Sequence, residues 1–224
     1  MHNLSLAAAL SVAAAGMTLS PVQAPAGPSA SEVATALQRK YDGIRDFSAD
    51  FTHNYEGGVL RKKVSERGTM MVKKPGKMRW NYTSPEQKVF VSDGSRIYLY
   101  VPADKQVMVS PMPEQDQATT AVLFLAGRGN LTRDFDVSFA PGGTPDKYKL
   151  RLEPKQPEGD YDWLELLVDT TTMRIVTLHA GDRQGGQSAF LFTNFKENIG
   201  LSDKTFEFRI PRGVDVITAG SNTR

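Results

Sequence analysis

The chain has 224 residues and no cysteine, and its 27 Lys and Arg against 25 Asp and Glu leave a formal net charge of +2. Lack of cysteine excludes disulfides, thiol nucleophiles and thiolate metal sites together. Near-balanced charge gives no basic stripe of the kind nucleic-acid binders carry, and one domain is the expected organisation at this length.

The opening run MHNLSLAAALSVAAAG is apolar but too short and alanine-rich to span a bilayer comfortably. It is followed by Pro21-Val22-Gln23-Ala24, with Val22 and Ala24 where small residues precede a signal-peptidase cut. The reading is a secretory signal peptide over 1–24, although its n-region holds only His2, and a single domain over 25–224 with its core at about 31–217. Ser29 and Glu32 then have the spacing of a capping box and open a helix through Tyr41, with Val33, Leu37 and Tyr41 on one stripe and Gly43 as the stop.

From Asp46 to Tyr55 the pattern is a strand, with Phe47, Ala49, Phe51, His53 and Tyr55 on one face. The chain returns over Val59 to Val72, where Arg61, Lys62 and Lys63 suit an exposed edge or loop. Three strands follow at Met70–Lys73, Lys77–Tyr82 and Lys88–Val91, and a fourth opens at Arg96. They are separated by Lys74-Pro75-Gly76, Ser84-Pro85 and Ser92-Asp93-Gly94-Ser95. Connections this short make the strands antiparallel neighbours. Met78, Trp80 and Tyr82 share one face, which could be ordinary core or the wall of a site.

Lys105 to Val109 is a further strand. Gln117 to Ala126 reads as a short helix, apolar nearly all round because Leu123 and Phe124 flank the stripe of Ala118, Ala121, Val122 and Leu125. Such a helix must be covered on both sides. Strands resume at Phe135–Phe139, Tyr148–Leu152, Trp163–Val168, Met173–His179 and Ala189–Phe195, a spacing that says sandwich or barrel. Thr205 to Val214 reads as a closing alternating strand stopped by Pro211 and Gly213, with a frayed end beyond.

No catalytic, metal or cofactor pattern emerges. His53 and His179 each stand alone on a strand, where a histidine is more often packed or solvated than a ligand. A lipid hydrolase would need a nucleophile within reach of one of them. What the chain does supply is bulky, adaptable apolar groups on strands: Met70, Met71, Met78, Met108 and Met173 beside Phe47, Phe51, Trp80, Phe90, Tyr98 and Tyr100.

The ordered set Lys-Lys-Pro-Gly-x-Met-x-Trp, Ser-Pro, Val-x-Val-Ser-Asp-Gly and Tyr-x-Tyr resembles the LolA family of periplasmic lipoprotein carriers, over roughly Val33 to Val216. The resemblance implies an incomplete, unclosed antiparallel β-barrel with a short α-helical lid, as in LolA and LolB. It implies an acyl-chain cavity lined by Phe47, Phe51, Met70, Met78, Trp80, Phe90, Tyr100, Val122 and Leu125. It places the lid latch, typically an Arg in the family, at Lys74, which offers a point charge in place of a planar fork.

The implied partners are a lipoprotein cargo, an inner-membrane ABC-type transporter and an outer-membrane receptor where one exists, with a periplasmic monomer using no cofactor. The receptor LolB needs a lipid-bearing Cys that this chain lacks. The alternative is a periplasmic regulator sensing lipoproteins or peptides on the same fold, whose members usually carry a second domain. If the Trp80 face is a cavity wall, Trp80→Glu should abolish lipid binding and spare the fold; if it is packed core, the same change should unfold the protein.

Overall fold

The structure, a computed structural model, describes residues 27–57, 62–112, 129–157 and 161–218. The signal peptide read over 1–24, and the helix read over 117–126 with its Val122 and Leu125, lie outside these residues. Helix α1 (Ala30–Asp42) starts with the capping box in place. Ser29 Oγ accepts from the Glu32 backbone N–H at 3.3 Å, and the Glu32 carboxylate accepts from the Ser29 N–H at 2.8 Å. Its stripe of Val33, Ala34, Leu37 and Tyr41 is buried.

A meander follows: β1 (Asp46–Glu56), β2 (Lys63–Lys73), β3 (Lys77–Ser84), β4 (Lys88–Asp93), β5 (Arg96–Val101) and β6 (Gln106–Pro111). Each is antiparallel to the one before, as the short turns require. After a short helix α2 (Leu131–Asp134), which the sequence pattern did not announce, comes a second antiparallel run: β7 (Phe135–Phe139), β8 (Lys147–Pro154), β9 (Trp163–Asp169), β10 (Ile175–Gly181) and β11 (Gln187–Glu197).

Pairing of β11 with β1 joins the two runs. With β12 (Asp215–Thr218) they make one 12-stranded sheet in the order β12-β6-β5-β4-β3-β2-β1-β11-β10-β9-β8-β7. β7 and β12 are its ends, so the barrel is unclosed. β2 is interior, flanked by β1 and β3, so of the basic run Lys63 opens an inner strand and lies on no sheet edge, while Arg61 lies outside the described residues. Lys63 Nζ lies 3.3 Å from the Glu56 carboxylate.

Ring distances measure the curl of the sheet. Trp80 on β3 and Phe190 on β11 are three strand spacings apart, about 14 Å on a flat sheet. Their ring centroids lie only 5.6 Å apart. The face that carries both is therefore concave, and α1 packs its buried stripe into the same core cluster. Bonds from other elements seat α1: Gln38 Oε1 accepts from Leu131 N–H at 2.9 Å, Lys40 Nζ meets Glu197 at 2.5 Å, and the Tyr41 hydroxyl accepts from Ile175 N–H at 3.4 Å.

The closing segment differs from its reading. Residues 207–211 belong to no strand, although Phe206, Phe208 and Ile210 alternate. With residues 199–206 they form a strap across the outer, convex face. Asp203 pairs with Lys73 at 2.8 Å and Lys77 at 3.1 Å, Arg79 Nη1 donates to the Thr205 carbonyl at 3.3 Å, and Phe206 is buried. Alternation sets which side chains face the sheet, but ladder bonds need a neighbouring strand edge, and the strap lies over a face. Beyond Gly213 the chain pairs in parallel with β6 as β12, and the last residues, 219–224, lie outside the described ones.

Candidate functional site

Cross-strand register lines up one row of side chains on the inner face: Ala49, Met70, Trp80, Phe90, Leu99, Met108 and Ile217. All seven are apolar and they come from seven different strands. Exposure rises along the row. Trp80 is 2% exposed, Phe90 and Leu99 are half-buried, Met108 reaches 40% and Ile217 49%. One end of the row is core and the other is exposed apolar surface.

A second inner row runs Phe47, Val72, Met78, Ser92 and Ile97. The buried Ser92 hydroxyl donates to the Gly76 carbonyl at 2.7 Å, so the row's one polar group is satisfied. A third crosses Phe51, Gly68 and Tyr82. A Cβ on Gly68 would lie 2.0 Å from the Asn81 carbonyl oxygen and 2.9 Å from the Phe51 ring, so only glycine lets Phe51 reach Tyr82, with centroids 5.0 Å apart.

Past that row the inner face turns polar. His53 Nε2 lies 2.7 Å from Ser188 Oγ, and its Nδ1 lies 3.1 Å from Glu66 Oε2. Lys88 binds the other Glu66 oxygen and sits over the Tyr82 ring, while the His53 ring stacks on Phe190 at 4.1 Å. Burial holds the His53 pKa below its ordinary 6.5, against the opposing pull of Glu66. Burial also works against the Glu66 carboxylate, but the bonds from Lys88 and His53 together outweigh it and hold its pKa low.

Ser188 thus meets the requirement set for a hydrolase, a nucleophile within reach of a lone histidine. Transition-state stabilisation is a different matter. Ser188 lies inside β11, paired to Tyr55 of β1 on one side and Ala180 of β10 on the other, so the backbone N–H groups around it are committed to two ladders. A relay whose neighbouring amides are already bonded has no ready oxyanion hole, the feature that usually does most to lower the barrier in acyl transfer. The bonds among His53, Ser188, Glu66 and Lys88 satisfy four polar groups on a curved apolar face. Among the described residues no cluster of three His, Asp or Glu side chains could hold a metal ion.

The family model for the outer membrane lipoprotein carrier protein LolA matches residues 42–209. The chain belongs to the LolA family. It is 32% identical over 209 residues to the outer-membrane lipoprotein carrier protein of Chromohalobacter salexigens, covering 92% of this chain and 96% of that one. The carrier protein of Hahella chejuensis is 29% identical over 184 residues, 81% of this chain and 86% of its own. Among solved structures, an uncharacterized conserved protein of Thermus thermophilus shares the fold, with a TM-score of 0.53 at 13% identity, over 83% of this chain and 96% of that one.

Of the LolA-type cavity residues read from sequence, Phe47, Phe51, Met70, Met78, Trp80 and Phe90 share the inner face, with Phe51 and Trp80 rings 4.8 Å apart. Tyr100 does not. It pairs with Val89 on the opposite face and lies under the strap, 6.0 Å from the Phe208 ring, with Tyr98 5.3 Å from the same ring.

The physical reason is register. Ile97 is opposite Ser92, so Leu99 falls beside Phe90 and both tyrosines point outward; a one-residue change would have reversed every side chain. Leu99 and Ile217, which continue the inner row on either side of Met108, were therefore not singled out from sequence, and for Leu99 the signal was the loop length between β4 and β5.

Lys74, at the latch position of LolA proteins, lies in the β2–β3 turn. Its ammonium donates to the Tyr41 carbonyl and sits 5.6 Å from that residue's ring. A cation at the carbonyl end of α1 meets the negative end of the helix dipole. Burial holds its pKa below 10.5. Its partner among the described residues is thus the last turn of α1; the segment read as the lid lies outside them.

Proposed function

We propose that this protein carries lipoproteins through the periplasm, its concave face shielding their acyl chains from water, with residues 1–24 as the signal peptide and 25–224 as the carrier domain. The observation that carries the reading is the apolar row from Ala49 to Ile217, which emerges from the core and stays apolar as it becomes exposed. Each buried methylene contributes about 0.8 kcal/mol, so two or three chains laid on such a wall could bind too firmly to leave.

A carrier needs that gain offset. A segment that closes over the wall when it is empty supplies the offset, because entering chains must first displace protein contacts. The segment 117–126 has the apolar residues for this, and Lys74 fixes the end of α1. Cargo would arrive from an inner-membrane ABC-type transporter and leave to an outer-membrane receptor, the partners that the family resemblance implies.

The test uses protein beginning at Pro25, membranes bearing an acylated lipoprotein, the transporter and ATP. Cargo should appear in the soluble fraction as a one-to-one complex, and Leu99→Glu should abolish it. Cargo retained in the membrane despite a working transporter would favour a regulator that senses lipoproteins in place of carrying them.

A further inference from the structure

Trp80 stands at the point of the apolar row where core gives way to surface, and its indole N–H is, among the described residues, the one buried side-chain polar atom without a hydrogen-bond partner. Burying a donor with no acceptor destabilises a protein, and phenylalanine would fill much of the same space without that cost. The side chains it packs against carry no oxygen. Its ring neighbours are Phe51 at 4.8 Å and Phe190 at 5.6 Å, and its cross-strand neighbours are Met70 and Phe90.

The polar groups nearby behave differently. His53, Glu66, Lys88 and Ser188 are all bonded to one another. They need nothing from a ligand. The Trp80 N–H is a donor held ready in an apolar surround, where a hydrogen bond is electrostatically stronger than in water.

If the face carries acyl chains, as proposed above, each chain brings one strong acceptor, the carbonyl that joins it to its polar body. We infer that the Trp80 N–H donates to an ester or amide carbonyl of the bound acyl cargo, so that the face recognises the acyl linkage as well as the hydrocarbon. A carbonyl held there leaves its chain to run over Phe90, Leu99 and Met108, the next three members of the row. A site built to hydrogen-bond a ligand group rejects an analogue lacking that group more sharply than apolar contact alone can.

The test compares two short-chain lipopeptides of equal length, one with ester-linked acyl chains and one with ether-linked alkyl chains. Each is titrated below its micelle concentration into wild-type protein and Trp80→Phe. Wild type should prefer the ester probe, and Trp80→Phe should weaken the ester probe by about tenfold more than the ether probe. Equal weakening of both probes, or no change in either, overturns the inference and leaves Trp80 as wall alone.

A second readout needs no variant. The protein has two tryptophans, Trp80 and Trp163. In an N–H correlation spectrum the Trp80 indole signal should move downfield with the ester probe and not with the ether probe, Trp163 serving as reference. An unmoved Trp80 signal with ester probe bound overturns the inference. If neither probe binds wild type, the carrier reading itself fails, and the inference falls with it.

Discussion

The two halves of the inner face are made of the same kind of residue and do different things. On the β7–β11 side, Leu150, Leu152, Leu164, Leu166 and Leu178 are buried in a cluster with α1. On the β4–β6 side and at β12, equally apolar side chains become progressively exposed, up to Ile217. Hydrophobicity alone makes both core and site, and what is packed on top decides which. The outer face behind the open half is the one crossed by the strap, so the wall is braced from behind.

Trp80→Glu tests where the boundary lies. At 2% exposure the new carboxylate would be buried among Phe51, Phe190 and Met70. We expect a loss on the order of 4 kcal/mol or more, seen as loss of a cooperative thermal transition. That sets aside the fold-sparing outcome offered for a cavity wall; an intact transition would move β3 into the open half. Leu37→Ala, on the fully buried stripe of α1, should cost about 2–5 kcal/mol in a denaturant melt.

The brace is tested through Asp46. Its carboxylate accepts from the Ile199 N–H at 2.8 Å and the Gly200 N–H at 3.0 Å, tying the start of β1 to the start of the strap. Asp46→Ala should cost about 1–3 kcal/mol and speed hydrogen exchange across 199–206 more than across β8 and β9. Uniform exchange would mean the strap is no separate unit. Met108→Glu, on the open half, should change stability by no more than about 0.5 kcal/mol while cutting lipid uptake. A large loss of stability would make that half core too.

The smallest effect concerns the polar end. His53 has its folded pKa below 6.5, so the unfolded chain binds more protons as pH falls past that value, and stability falls with it. Glu66, also held low in the fold, acts in the same direction near and below 4.5, where its protonation removes the bonds to Lys88 and His53. His53→Gln should remove the upper part of this dependence, flattening the melting temperature between neutral pH and about pH 5.5. An unchanged profile would place the sensitivity elsewhere.

Alternation of side chains, turn residues and the Ser29–Glu32 box were enough to place α1 and the strands through β11 to within a residue or two for most of them. These are local properties, set by backbone geometry within a few residues. That Met70, Met78, Trp80 and Phe90 share the inner face was legible for the same reason: they sit on strands whose hairpin connections are short and whose apolar face is unambiguous.

Tyr100, the strap and the Ser188 relay were not. A strand with large apolar or aromatic groups on both faces, as in Ile97-Tyr98-Leu99-Tyr100, does not say which face is inward; the β4–β5 register does. Alternation in 205–214 fits a strand or a strap equally, and only the presence of Lys73, Lys77, Arg79 and Tyr98 beneath it settles the matter. His53 and Ser188 are 135 positions apart, brought together by the pairing of β1 with β11 that joins the two meanders. Local pattern made the strands and their apolar faces; long-range pairing and the curl of the sheet decided which faces became core, which became wall, and which distant polar groups meet.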